Sequence, residues 1–228
     1  MDNITYNLKL KDGKEYTFEV DIDRKDRREE TNIETHSFWT KLSYNQCSNC
    51  PLPVSTCKYC PAALDIEEIA KKFADIISTE RADVWVHTKN RSYFKNCDVQ
   101  EALKSIFGLI MASGNCPILS RLKPLAYFHL PFADLEETLH RLVGTYLIKQ
   151  RLIYSEGKSE PDWDLRGIEK LYRELETVNI HFMNRLRDAS SKDATSNALY
   201  IFVTLTSLIA MDINSAVKSF DPIVRRGL

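Results

Sequence analysis

The chain has no long apolar run, few glycines and almost no net charge, and each shortage removes a class of function. Its longest strongly apolar stretch, Ala198 to Met211 (ALYIFVTLTSLIAM), falls short of the roughly eighteen residues that a membrane span needs. It reads as a buried core helix. The opening segment MDNITYNLKLKDGKEY has no charged region followed by an apolar one, so no signal peptide is expected. With 31 Lys and Arg against 32 Asp and Glu, the formal charge is -1. No global field draws such a chain to nucleic acid or to an anionic membrane. Seven glycines and eight prolines in 228 residues leave no low-complexity linker. No Gly-rich phosphate loop, G-x-S-x-G elbow or H-E-x-x-H helix occurs, which takes away the commonest nucleotide, hydrolase and metalloprotease readings. The expectation is a soluble cytoplasmic protein with no membrane partner.

The pattern that is present changes character part-way along. Ile4 to Leu10 and Glu15 to Ile22 alternate around Lys11-Asp12-Gly13-Lys14, the signature of a β-hairpin. His36 to Tyr44 is a third strand candidate, and Ala82 to Thr88 and Arg91 to Lys95 are a fourth and fifth. Arg24 to Glu30 (RKDRREE) reads as a solvated charged loop. Between the strand candidates, Asp65 with Glu68 predicts a capped helix start, with Ile66, Ile69, Ala70, Phe73 and Ile77 on the face that covers the sheet. From Asp98 onward the period is helical. Asp98 with Glu101 and Asp134 with Glu137 predict two more starts, and Gly114 a stop between them. Further helices are expected over about 164–187 and 193–219. The fold class expected is therefore α+β. An antiparallel or mixed N-terminal sheet with one covering helix and a four-cysteine loop occupies residues 1–96. A C-terminal helical bundle occupies 97–228 and packs on the first part as one compact unit.

The four-cysteine loop is the strongest chemical signal. Cys47, Cys50, Cys57 and Cys60 form C-x2-C-x6-C-x2-C within fourteen residues, four of the six cysteines in the chain. Reduced cytosolic thiols in paired C-x2-C units favour a metal over disulfides. Two such turns supply four thiolates in the tetrahedral arrangement of structural Zn²⁺, with no open position for a substrate. Zinc is the first expectation, and an iron–sulfur or single-iron site the second. A redox pair of thiols stands behind them. Pro51 and Pro61 follow the second cysteine of each pair and remove one N–H donor from each turn.

A second cluster lies between Cys116 and His140, with Cys116, His129, Asp134, Glu136, Glu137 and His140 set among Pro117, Pro124 and Pro131. One reading makes Cys116 a nucleophile, His129 its base, and Asp134 or Glu137 the group that orients the imidazole. Against it stands a buried cysteine just past a helix C-terminus, where nothing lowers its pKa. Glu137-x-x-His140 matches half of a di-iron site, but no second copy exists. A third possibility sets His129 or Cys116 beside the four-cysteine metal. Lys41, Tyr44, Lys58 and Tyr59 flank the loop and would suit a nucleic-acid surface of basic and stacking groups, against the balanced charge.

The segments QCSNCPL, CPAA, GLIMASGNCP and LKPLAYFHLPFADLEETLHR together resemble a bacterial family of uncharacterised proteins. Its pattern runs Gln-Cys-x-x-Cys-Pro-Leu, Cys-Pro, Met-Ala-x-x-x-Cys-Pro and Lys-Pro-x-Ala-x-Phe-His-Leu-Pro-Phe. The resemblance spans most of the chain. Tyr127 stands where the family pattern has arginine, and Leu125 where it has methionine. The resemblance implies a bacterial cytosolic protein and brings no activity with it. A closed four-sulfur site without a complete catalytic set points first to a binding or regulatory protein. Its partner would be a protein or a small ligand at the junction of sheet and helices. An enzyme built on Cys116 and His129 is the alternative, and nucleic-acid binding through the cysteine loop comes third.

Overall fold

The structure, a computed structural model, describes residues 3–26, 36–188 and 194–226. Strands β1 (Asn3–Leu10), β2 (Glu15–Asp21), β3 (Arg81–His87) and β4 (Ser92–Asp98) form one antiparallel sheet in the order β2-β1-β3-β4. The fold is α+β. Alternation decides which face is covered: Ile4, Tyr6, Leu8 and Leu10 of β1 and Ala82, Val84 and Val86 of β3 are all buried. The β1–β2 turn closes as its Asp-Gly pair predicts, with Gly13 at φ 88°, a conformation that costs other residues steric strain.

Helices α1 (Pro61–Lys72) and α2 (Val99–Ser113) follow, then the short α3 (Lys123–Tyr127), α4 (Leu135–Ser155), α5 (Arg166–Arg187), α6 (Ala194–Met211), α7 (Ile213–Lys218) and α8 (Asp221–Val224). Helix α2 is buried on nearly every side. It contacts the sheet, α1 and α6, while α5 and α6 pack along each other. Buried side chains from β1 through α7 form one continuous core. Among the described residues no helix is long and apolar enough to cross a membrane.

Local signals and tertiary contacts compete in several places. Asp134 and Glu137 form the predicted reciprocal capping box at the start of α4. Asp65 does not cap α1. That helix begins a turn earlier, on Cys60 with Pro61 at its first position, where proline loses nothing by lacking an N–H. Asp65 instead lies inside α1 and pairs with Arg24 at 3.0 Å. Arg24 also donates to Ser113 Oγ and to the Ile110 carbonyl, each at 2.7 Å. It is therefore no solvated loop residue. The rest of the charged run, from Arg27, lies outside the described residues, as does Asp193 at the expected start of α6. Asp98 and Glu101 likewise turn to cations, Arg81 and Lys95, rather than to a cap. The expected single helix over 193–219 breaks at Asp212, which caps α7 through the Ser215 amide.

His36 to Tyr44 is not a third strand. It holds a single 3₁₀ turn, Phe38–Thr40, and one isolated bridge between Lys41 and Tyr59. The carbonyls that a ladder would use are taken by a side chain: Arg185 donates to Trp39 O (2.6 Å), Lys41 O (2.7 Å) and Leu42 O (3.1 Å).

Glu67 anchors the start of this segment to α1. The residue is 3% exposed, and it accepts from the Ser37 amide at 2.6 Å and contacts His36 Nδ1 at 2.7 Å. Lys71 lies 2.8 Å from it. Burial alone would raise the carboxyl. The hydrogen bonds from Lys71, Ser37 and His36 outweigh burial and bring it from 4.5 to about 2. A folded value below the unfolded one gives stability that is fully present above about pH 4.5 and is lost as the pH falls towards 2. The contribution is on the order of 3 kcal/mol. Urea midpoints of wild type and Glu67→Gln should therefore differ most at pH 6, draw closer below pH 4 and converge only towards pH 2. A gap that stays constant with pH would refute this role for the carboxylate.

Candidate functional site

Two cavities lie on either side of the segment that links α2 to α3. The smaller, about 20 Å³, is lined by Cys47, Cys50, Cys60 and Cys116, with Leu42, Ile118, Val178, Phe182 and Arg185 around them. Cys57 is not among the lining residues. Its sulfur turns to the Tyr59 carbonyl at 3.2 Å, and it is 8% exposed. Cys116 lines it as well, from the turn that follows α2. In chain order the four cysteines are spaced C-x2-C-x9-C-x55-C.

Each sulfur is positioned by ordinary backbone chemistry. Cys47 and Cys50 share a turn, closed by Cys50 N–H to Cys47 O at 3.0 Å. Cys60 is the N-cap of α1, with no side-chain cap hydrogen bond, and the amides of Ala62 and Ala63 act to lower its thiol pKa. The amides of Ile118 and Leu119 act in the same direction on the Cys116 thiol. Burial pushes the Cys47 thiol up to about 12 and the Cys60 thiol to about 11. Burial raises Cys116 as well. The neighbouring thiols raise Cys47 further, whereas Arg185 acts in the opposite direction on Cys47 and Cys60. Among the described residues, no three His, Cys, Asp or Glu side chains converge closely enough to hold one metal ion.

Arg185 is the residue that the sequence reading passed over. Its side chain is 1% exposed, and it donates only to backbone carbonyls. Its Nε, also buried, has no partner. No carboxylate among the described residues pairs with it. A single arginine in the polar-to-apolar rhythm of α5 gives no signal in one dimension, because the groups it meets lie more than 140 residues away.

The larger cavity, about 140 Å³, is walled by α2, the 3₁₀ turn Leu119–Leu122, α3, α5 and α6. His129 lines it, and Cys116 does not, so the structure does not bring these two together as a nucleophile and its base. His129 Nε2 instead meets the Tyr6 hydroxyl at 2.5 Å, and Tyr6 also bonds Ser105 Oγ at 2.7 Å. Ser105 in turn accepts from the Phe132 amide at 3.1 Å, where the backbone takes φ 61°, an uncommon conformation for a bulky residue. The His-Leu-Pro-Phe block is thus tied to both β1 and α2. Burial pushes His129 down to about 3, which leaves a neutral imidazole at neutral pH. Asp134 and Glu137 are engaged in their capping box. His140 packs edge-on against Phe220.

Residues 4–224 match a domain of unknown function, DUF6901. The chain belongs to this family. No curated protein and no solved structure matches it. In this DUF6901 protein, Tyr127 bonds Asp23 Oδ1 at 2.5 Å, and Lys123 lies 3.1 Å from the same atom. An arginine at position 127 would meet the same carboxylate. Leu125 lines the larger cavity. Around the cysteine loop, Tyr44 is engaged by Phe38 and Asp188, and Tyr59 by His36 and Lys58.

Proposed function

We propose that this DUF6901 protein carries a metal centre held by the thiolates of Cys47, Cys50, Cys60 and Cys116, and that it works by binding and regulation rather than by bond breaking at the metal. The supporting observation is Arg185. A fully buried guanidinium with no carboxylate partner is costly, and this one lines the same small cavity as the four cysteines. Four thiolates on a divalent ion or on an iron–sulfur core leave net negative charge, which Arg185 would offset. All four sulfurs are then ligands, so no open position remains for a substrate.

Zinc is one thiolate-seeking occupant. A second reading, an iron–sulfur cluster, is favoured by the hollow that the four cysteines line. A single zinc draws sulfur to about 2.3 Å, whereas a cluster inserts its own iron and sulfide between the thiolates. Cys-Pro occurs at Cys50, Cys60 and Cys116, and a Cys-Pro step also ends the bacterial ferredoxin run. The cluster suits the arrangement better.

The test is zinc, iron and acid-labile sulfide analysis of full-length protein purified without oxygen. Iron and sulfide in equal amounts with broad visible absorption support the cluster, and one zinc per colourless chain supports the ion. In either case Cys116→Ser should lose the metal and Cys57→Ser should keep it. Wild type without metal, or the reverse pattern in the two variants, overturns the assignment.

A further inference from the structure

We infer that the larger cavity is a binding site for a compact monocarboxylate of about the size of benzoate. Three observations converge, and none depends on the metal centre. The first is size. At about 140 Å³ the cavity is close to the roughly 150 Å³ apolar cavity known to accept benzene. Its walls, among them Met111, Leu119, Leu175 and Ile209, suit an apolar ring or a branched chain.

The second observation is charge. Lys104 and Arg141 line the cavity, and no Asp or Glu does. Arg141 spends Nε on the Phe128 carbonyl at 2.9 Å and Nη2 on the Leu125 carbonyl at 2.6 Å. It forms no ion pair among the described residues and retains donors for an anion. Guanidinium and carboxylate match in geometry as well as in charge.

The third is an unmet hydroxyl. Tyr172 is 5% exposed, lines the cavity, and has no hydrogen-bond partner among the described residues. Its oxygen is not one of the fully enclosed unpartnered atoms, so it stays open to a ligand oxygen. Arg141 and Tyr172 line the same cavity, and the guanidinium acts electrostatically on the hydroxyl. A ligand site of this kind is mostly apolar, with a few convergent polar groups that fix orientation.

The experiment is calorimetric titration of the full-length protein with sodium benzoate, and with benzamide as its neutral counterpart. Benzoate should bind saturably at one per chain, and benzamide at least tenfold more weakly. Arg141→Gln should weaken benzoate about tenfold and leave benzamide nearly unchanged. Because Arg141 also braces the turn after α3, Tyr172→Phe provides the milder variant. It deletes one oxygen, should weaken benzoate about fivefold, and should leave the melting temperature within a degree or two. The proposal is overturned by any of three results: no saturable benzoate binding to folded wild type, equal affinity for benzamide, or unchanged affinity in Tyr172→Phe.

Discussion

Arg185→Met is expected to destabilise the protein by about 3–5 kcal/mol and to release whatever the four cysteines hold. Methionine fills much of the arginine's volume, so the loss is one of hydrogen bonds and charge rather than of packing. The carbonyls of Trp39 and Leu42 would lose their donor, and that of Lys41 would keep only the Tyr44 amide. Each carbonyl left unsatisfied in the interior costs about 1–3 kcal/mol. Because a domain is stable by only about 5–15 kcal/mol, the change should be evident in a urea titration followed by circular dichroism. Arg185→Lys should not rescue it, since one ammonium cannot span three carbonyls in the geometry of a planar fork. A variant within about 1 kcal/mol of wild type, with its metal intact, would show that Arg185 is neither brace nor counter-charge.

Asp65→Ala should cost about 3–4 kcal/mol, because it strands the Arg24 guanidinium in a largely buried position. The side chains are 18% and 3% exposed for Arg24 and Asp65, too enclosed for water to compensate. Arg24 also ties the end of β2 to the last turn of α2 through Ser113 and Ile110. Gly114 belongs to the same assembly. A Cβ there would stand 2.2 Å from Asp65 Oδ2 and 3.1 Å from Arg24 Nη2. Gly114→Ala must therefore push the carboxylate off its partner. The two substitutions should be markedly less than additive, because the second has little left to disrupt. Additive losses in a double-mutant cycle would place the effect of Gly114 elsewhere.

Some of this molecule is legible one residue after another. The hairpin needs only alternation and Asp12-Gly13, and the α4 start needs only Asp134 and Glu137 three residues apart. Helix stripes are repeated over several turns, so an error of one residue at an end does not change the element. The errors fell where a single polar group had to choose between a local partner and a distant one. Asp65 matches a helix cap but serves Arg24, and His36 to Tyr44 has strand character but gives its carbonyls to Arg185.

The cysteine cluster shows the same division. Four cysteines in fourteen residues direct attention to the loop, and the chain's own segments single out the cysteines that line the small cavity. Cys47, Cys50, Cys60 and Cys116 all lie in the stretches that carry the family pattern, and Cys57 does not. Spacing alone favoured Cys57 because proximity in sequence is the only distance that a sequence displays.

By itself the sequence determined the α+β class, the hairpin, the main helices and the presence of a thiol-rich loop. These depend on periodicity and on contacts three or four residues long. Only the tertiary structure decided that Cys116 lines the same small cavity as Cys47, Cys50 and Cys60, that His129 lines a different one, and that Arg185 lies beside the thiols. Those outcomes depend on how α2 and α5 pack against the loop, through contacts that span about 55 to 145 residues, and no local propensity encodes them.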